Sequence, residues 1–268
     1  MHSRPLLASW LTCILLGCIV GPSAPGPLRE GNNVLFVGNS LTYENNLPGM
    51  VTALAEAGGV RLQTGSLTLA NHALIDYLLD GSIQPIIANG ARGGWRYIVM
   101  QQGPSTVPIC RDTLVLAVKE IDRLGKQGNA KSVVMMAWPT QARAFDFPKV
   151  HESAQMAAMT VGAQFAPAGD AWLRALDGDP TLALYGPDGY HPAPLGSFLA
   201  ALVLYEQLTG KDARDLPATA AIAGRGVAAT PATVRLLQQA AHTANERAFA
   251  TPVPMWTPSV PPNPGIRC

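Results

Sequence analysis

The sequence predicts an α/β fold, with a central parallel sheet of about five strands covered by helices on both faces. Three observations predict it. Short apolar runs alternate with segments of helical period, the pattern left by parallel strands joined through crossover helices. The chain has 268 residues, 48% of them hydrophobic, which is enough for one sizeable core in a single domain. Asn39-Ser40, Gln101-Gln102 and Trp138 stand where the first, third and fourth apolar runs stop. That is the edge at which parallel sheets bind their ligands.

The first strand is Val34 to Val37, an apolar run closed by Gly38. Asn46 and Pro48 mark the cap and first turn of a helix that Gly58-Gly59 ends. A second strand is placed at Val60 to Leu67, and a helix runs through Ala73 to Leu79. Tyr97 to Met100 is the third strand and leads into Gln101-Gln102-Gly103-Pro104. Asp112 reads as the cap of a helix with Leu114, Ala117, Val118, Ile121 and Leu124 on one face, stopped by Gly125. Ser132 to Ala137 forms the fourth strand, ending at Trp138-Pro139, and a helix covers about Val150 to Val161. The fifth strand lies near Ala163 to Ala166. Beyond the turn-rich "LYGPDGYHPAP", Pro194 opens a helix that buries Leu195, Leu199 and Leu202 and ends at Gly210. Thr230-Pro231 caps a last helix with Leu237, Ala240, Ala241, Ala244 and Ala248 on one side. Residues 251–268 are so rich in proline that they predict an extended tail outside the core.

A formal charge of +1 offers neither a basic stripe nor an acidic tail, so no nucleic-acid partner is expected. Residues 1–25 read as a bacterial-type export signal: Arg4 gives a positive start, Leu11 to Val20 is apolar but short for a bilayer, and "GPSAPG" supplies small residues. Leu15-Leu16-Gly17-Cys18 is similar to a lipobox, which would make Cys18 the lipidated first residue; cleavage near Ala24 is the alternative. Either route exports the protein, as a periplasmic, secreted or lipid-anchored form, and only the anchor would touch a membrane. An oxidising compartment permits a disulfide between Cys110 and Cys268 that pins the tail, with two free thiols as the alternative.

A serine hydroxyl is a poor nucleophile at neutral pH. It needs a general base, and the base needs a group that fixes its tautomer. The stretch "DGYH" supplies both, with Asp188 and His191 on one turn. His191 would also sit at the amino end of the Pro194 helix, where the dipole disfavours imidazolium and makes Asp188 more necessary. Alone, Asp-Gly in a proline-rich loop reads as a surface turn. Ser40 at a strand end changes that reading.

Here a resemblance enters. "FVGNSLT" resembles the first block of the SGNH/GDSL hydrolases, with Gly-Asn-Ser for Gly-Asp-Ser, and "DGYHP" resembles their last block, Asp-x-x-His. "NNLPGM", "VMQQGPST" and "HPAPLGSFLAALVLYEQLTG" are similar to an exported bacterial branch of that superfamily, over most of Asn33 to Gly210. The resemblance implies a three-layer, flavodoxin-like α/β/α domain over residues 30–250 and acyl transfer by a Ser40–His191–Asp188 triad. It also implies an oxyanion hole built from the Ser40 N–H, a glycine N–H and an asparagine side chain.

Two of those donors depart from the pattern. The third block should read Gly-x-Asn, whereas "QQGPS" has Gly103 and Ser105 but no asparagine. A glutamine amide can serve from one methylene further out, and neighbours at a strand end point to opposite faces. Gln102, beside Gly103, is the first candidate and Gln101 the second. Gly65 stands too early for the second-block glycine, so Thr68 or a neighbour is expected to supply that N–H. Losing one such donor costs about 3–4 kcal/mol of transition-state stabilisation. A carbohydrate- or envelope-binding protein without turnover is therefore the rival reading, and an acyltransferase the third.

The expected substrate is a small-molecule or glycan ester with a short acyl group, and activity should fall on acidification because the base must be neutral. Trp138 either stacks on a sugar ring or is a core aromatic. His72 either lines the cleft or faces solvent, and Asn45 and Asn46 read as a helix cap. No cofactor or metal is expected: His151-Glu152 lacks a second ligand pair and reads as surface. "GARGGW" precedes a strand instead of following one, so it is not a dinucleotide loop.

Overall fold

A computed structural model describes residues 32–90, 94–224 and 226–259. Residues 1–25, expected to be an export signal, with Cys18, and Cys268 near the other end, lie outside the described residues. Five strands form one parallel sheet: β1 (Asn33–Gly38), β2 (Gln63–Thr68), β3 (Tyr97–Gln101), β4 (Lys131–Met135) and β5 (Gln164–Ala166). Their order is β2-β1-β3-β4-β5, the flavodoxin-like arrangement, in which strand order reverses beside β1. Gly38 pairs with Thr68, Val37 with Met100 and Gln101 with Met135, so four strands finish at one edge. β1, β3 and most of β4 are buried, as strands covered on both faces must be. β2 is an edge strand and stays half exposed.

The helices are α1 (Ser40–Tyr43), α2 (Leu47–Ala57), α3 (Leu74–Leu79), α4 (Ile83–Asn89), α5 (Pro108–Gln127), α6 (Phe147–Val161), α7 (Ala168–Gly178), α8 (Pro194–Thr209) and α9 (Pro231–Glu246). α2 packs on α8, and α8 on α7 and α9. α5 packs on α6, α3 and α4, the other layer; right-handed crossovers around this strand order place the two groups on opposite faces. Among the described residues, no helix is long and apolar enough to cross a membrane.

α4 and α7 are absent from the sequence reading, and α5 corrects it. That helix begins at Pro108 with Val107 as its cap, because proline fits the first turn, where its missing N–H is no loss. Asp112 lies inside the helix and is buried. Its carboxylate accepts hydrogen bonds from the Trp256 indole at 3.0 Å and from the Ser259 N–H and hydroxyl, each at 2.7 Å. Gly125 does not stop the helix: it lets Ile98 pack close, since a Cβ there would lie 2.7 Å from Ile98 Cδ1. Residues 251–259 form no helix or strand, but Val253 and Trp256 rest against the core. Cys110, on the same helix, is disulfide-bonded.

Candidate active site

β1 delivers the chain to the sheet edge at Gly38, beside the point where strand order reverses. Asn39 is extended, and its side chain accepts the Leu41 N–H at 3.1 Å, capping the single turn that Ser40 begins. Gln101 Oε1 accepts both the Asn39 N–H, at 3.0 Å, and the Thr42 hydroxyl, at 2.8 Å. The Gly38 carbonyl accepts the Tyr77 hydroxyl at 2.7 Å, and the Tyr77 hydroxyl oxygen in turn accepts the Leu69 N–H at 2.7 Å. Burial pushes the Tyr77 hydroxyl up to about 12, so it stays a donor.

Glycine at 38 follows from this crowding. A Cβ there would lie 2.6 Å from both Gln101 Oε1 and Thr42 Oγ1. Gly38→Ala is expected to lower stability by about 1–3 kcal/mol through overpacking. By displacing Ser40 it should also cost about two decades in whatever turnover Ser40 supports. Thermal melting and ester turnover check this; an alanine variant matching the parent in both would show that the turn yields.

The second half of the site is the loop between α7 and α8. Gly186 N–H donates to the His191 carbonyl at 2.7 Å, Gln141 N–H to the Gly189 carbonyl at 2.7 Å and the Tyr185 hydroxyl to the Pro139 carbonyl at 3.0 Å. Gly189 has φ +67°, a left-handed turn that glycine adopts without penalty. The loop carries His191 to Ser40: Nε2 lies 2.9 Å from Ser40 Oγ, and Nδ1 lies 2.5 Å from Asp188 Oδ2. Asp188 Oδ1 accepts the N–H groups of Tyr190 and His191, both at 3.0 Å.

Hydrogen bonds from the His191 side chain, then from the Tyr190 N–H, lower the Asp188 carboxyl to about 2. An ionised carboxylate only accepts, so Nδ1 must carry the imidazole proton and Nε2 faces Ser40 with a lone pair. Ser40 is buried, whereas the side chains of His191 and Asp188 are 38% and 51% exposed, so the arrangement opens to solvent. A cavity of about 430 Å³ adjoins it, lined by Thr140, Gln141, Ala142, Pro187, Asp188 and Gly189.

No protein-family model and no curated protein matches the chain. Solved structures do. A DUF4886 family protein from Bacteroides uniformis is 20% identical with a TM-score of 0.59, over 79% of this chain and 93% of its own. An SGNH hydrolase-type protein from Slackia heliotrinireducens is 29% identical with a TM-score of 0.52, over 66% of this chain and 98% of its own. The chain has the fold of the SGNH hydrolases. An acetylxylan esterase from Geobacillus stearothermophilus shares that fold at 13% identity, with a TM-score of 0.54 over 67% of this chain and 95% of its own.

Against the SGNH pattern, the expected oxyanion donors need correction. Gln102 is buried: Oε1 accepts the Leu74 N–H at 3.1 Å and Nε2 donates to Ser105 Oγ at 3.0 Å. Gln101 spends its oxygen on the Ser40 turn, while its Nε2 is buried without a partner among the described residues. Both side chains are almost fully buried. Thr68 closes β2 half-buried, and the N–H of its neighbour Leu69 is taken by Tyr77. The Ser40 N–H, first in its helix, has no acceptor within that helix.

Trp138 is a core aromatic. It is fully buried, stacks on Trp172 at 3.9 Å and donates its indole N–H to the Tyr190 carbonyl at 3.1 Å, so it braces the His191 loop. His72 is half-buried against Tyr77, and its carbonyl accepts the Asn39 side chain at 3.1 Å. His151 is half-buried beside Asp170, with Nδ1 2.7 Å from the carboxylate, and lines a separate cavity of about 450 Å³.

Glu206, Asp212 and His242 come within metal-binding reach of one another. Arg214, Asn245 and the Ala213 N–H already occupy their carboxylate oxygens. Tyr77, inside α3, and Gln141, in the turn after β4, support the site but carry no motif.

Proposed function

We propose that the protein is an exported serine esterase that removes short acyl groups, acetate foremost, from a glycan or another hydroxylated molecule. One observation carries this reading. Ser40, His191 and Asp188 form an unbroken chain of hydrogen bonds, 2.9 Å and then 2.5 Å long, across 151 residues of sequence. In the proposed reaction Ser40 Oγ attacks the ester carbonyl carbon as His191 Nε2 takes its proton. The tetrahedral intermediate then expels the alcohol, which receives that proton. Water, deprotonated by His191, attacks the acyl-enzyme and releases the acid with Ser40 restored. Asp188 holds the imidazole and stabilises its charge, and the Ser40 N–H faces the developing oxyanion.

The glycan ester is the substrate class in keeping with the acetylxylan esterase among the SGNH neighbours. Export is in keeping with the disulfide at Cys110, since such bonds persist in oxidising compartments. The buried Gln101 and Gln102 favour the rival reading, a carbohydrate- or envelope-binding protein, because they leave the oxyanion hole short of side-chain donors.

A fluorophosphonate probe separates the two, since labelling needs an activated serine. The esterase should acquire one adduct on the peptide containing Ser40 and release acid from a chromogenic acetate ester. A folded sample that takes no label belongs to the binding protein. Capture of the acyl group by an added alcohol in preference to water would mark an acyltransferase.

A further inference from the structure

We infer that Asn45 is a positioning residue, the strut that sets the separation of Ser40 and His191; this rests on the esterase reading above. Asn45 lies just past the Ser40 turn, in a short 3-10 segment, Glu44–Asn46, that leads into α2. Its Nδ2 donates to the Pro192 carbonyl at 2.8 Å and to Ser197 Oγ at 3.0 Å. An amide nitrogen has two hydrogens, so both are used. Pro192 follows His191 directly, and Ser197 is a buried residue in the first turn of α8.

The His191 loop is otherwise tied to itself and to one neighbour. The His191 N–H goes to Asp188 and its carbonyl to Gly186, both within the loop. Trp138, Gln141 and Tyr185 hold the loop from the β4 side. On the Ser40 side, apart from the Ser40–His191 bond itself, Asn45 makes the hydrogen bonds that join residues 39–46 to residues 185–197 among the described residues.

The backbone agrees with a fixed role. Asn45 has φ 53° and ψ 16°, and Asn46 has φ 56° and ψ 53°. Two successive non-glycine residues in the left-handed region are uncommon, and asparagine tolerates that region best among them. Such conformations persist where the surroundings over-determine them. Here they end the Ser40 turn and present Asn45 to Pro192. A displacement of about 1 Å between reacting groups can cost about two decades in rate, so a strut at this point acts on turnover.

Two variants test it. Asn45→Asp keeps the size and the tolerance for the left-handed conformation but loses both N–H donors. Asn45→Gly keeps the backbone and loses the side chain. Each is expected to fold, to lower kcat at least about tenfold with KM within about twofold, and to slow fluorophosphonate labelling by the same factor as kcat. Labelling of either variant at the parent rate overturns the strut.

Absence of labelling in the parent would defeat the esterase reading instead. The crystal structure of Asn45→Asp then decides on the strut alone. A Ser40 Oγ–His191 Nε2 separation beyond hydrogen-bond reach supports it, and an unchanged 2.9 Å overturns it.

Discussion

Ser40→Ala is expected to fold like its parent and to lose about five to six decades in kcat for ester hydrolysis. The size follows from the unit that Ser40 completes. Without the hydroxyl there is no acyl-enzyme, and His191 can only help water to attack directly. The fold should survive because Ser40 Oγ bonds to His191 and carries none of the turn. The Asn39 side chain caps α1 through Leu41, and Gln101 holds the turn through Asn39 and Thr42. Alanine is also the residue a helix tolerates best. Steady-state turnover on a chromogenic acetate ester, paired with thermal melting, reads both halves. An alanine variant turning over within tenfold of the parent at equal stability would place the chemistry on some other group.

The residues of the proposed triad could be picked out of the sequence because their surroundings are local. Ser40 follows a six-residue buried strand, and Asp188 binds His191 within one turn, so a short window contains each half. α8 and α9 were legible because proline opens both, and glycine closes the first. What supports the site was not legible, since those bonds cross the fold. Gln101 sits beside Gly38 only because β3 pairs with β1, and Asn45 meets Pro192 only because α8 packs against α2.

Asp112 misled in the same way: a carboxylate that looks like a helix cap is claimed by Trp256 and Ser259 from the far end of the chain. Gln101 and Gln102 read as free amides for an oxyanion hole. Their partners Asn39, Thr42 and Leu74 come from loops that no motif places beside them.

Asp188→Asn is expected to cost about four decades in kcat while leaving the loop in place. The carboxamide oxygen can still accept the N–H groups of Tyr190 and His191, which now bind Asp188 Oδ1. Its amide nitrogen then faces His191 Nδ1 as a donor, where Oδ2 now accepts. Two donors cannot share that position, so the imidazole proton moves to Nε2 and points at Ser40, where the reaction needs a lone pair.

The pH dependence of stability reports on the Asp188 carboxylate. Hydrogen bonding lowers the Asp188 carboxyl from 3.8 to about 2 in the folded protein. Its contribution to stability is therefore complete above the unfolded value and is lost as pH falls through the folded one. Within that window, the parent should lose melting temperature more steeply than the asparagine variant. An asparagine variant within tenfold of the parent in kcat would mean that something other than Asp188 orients His191, and the proton relay would have to be redrawn around that group.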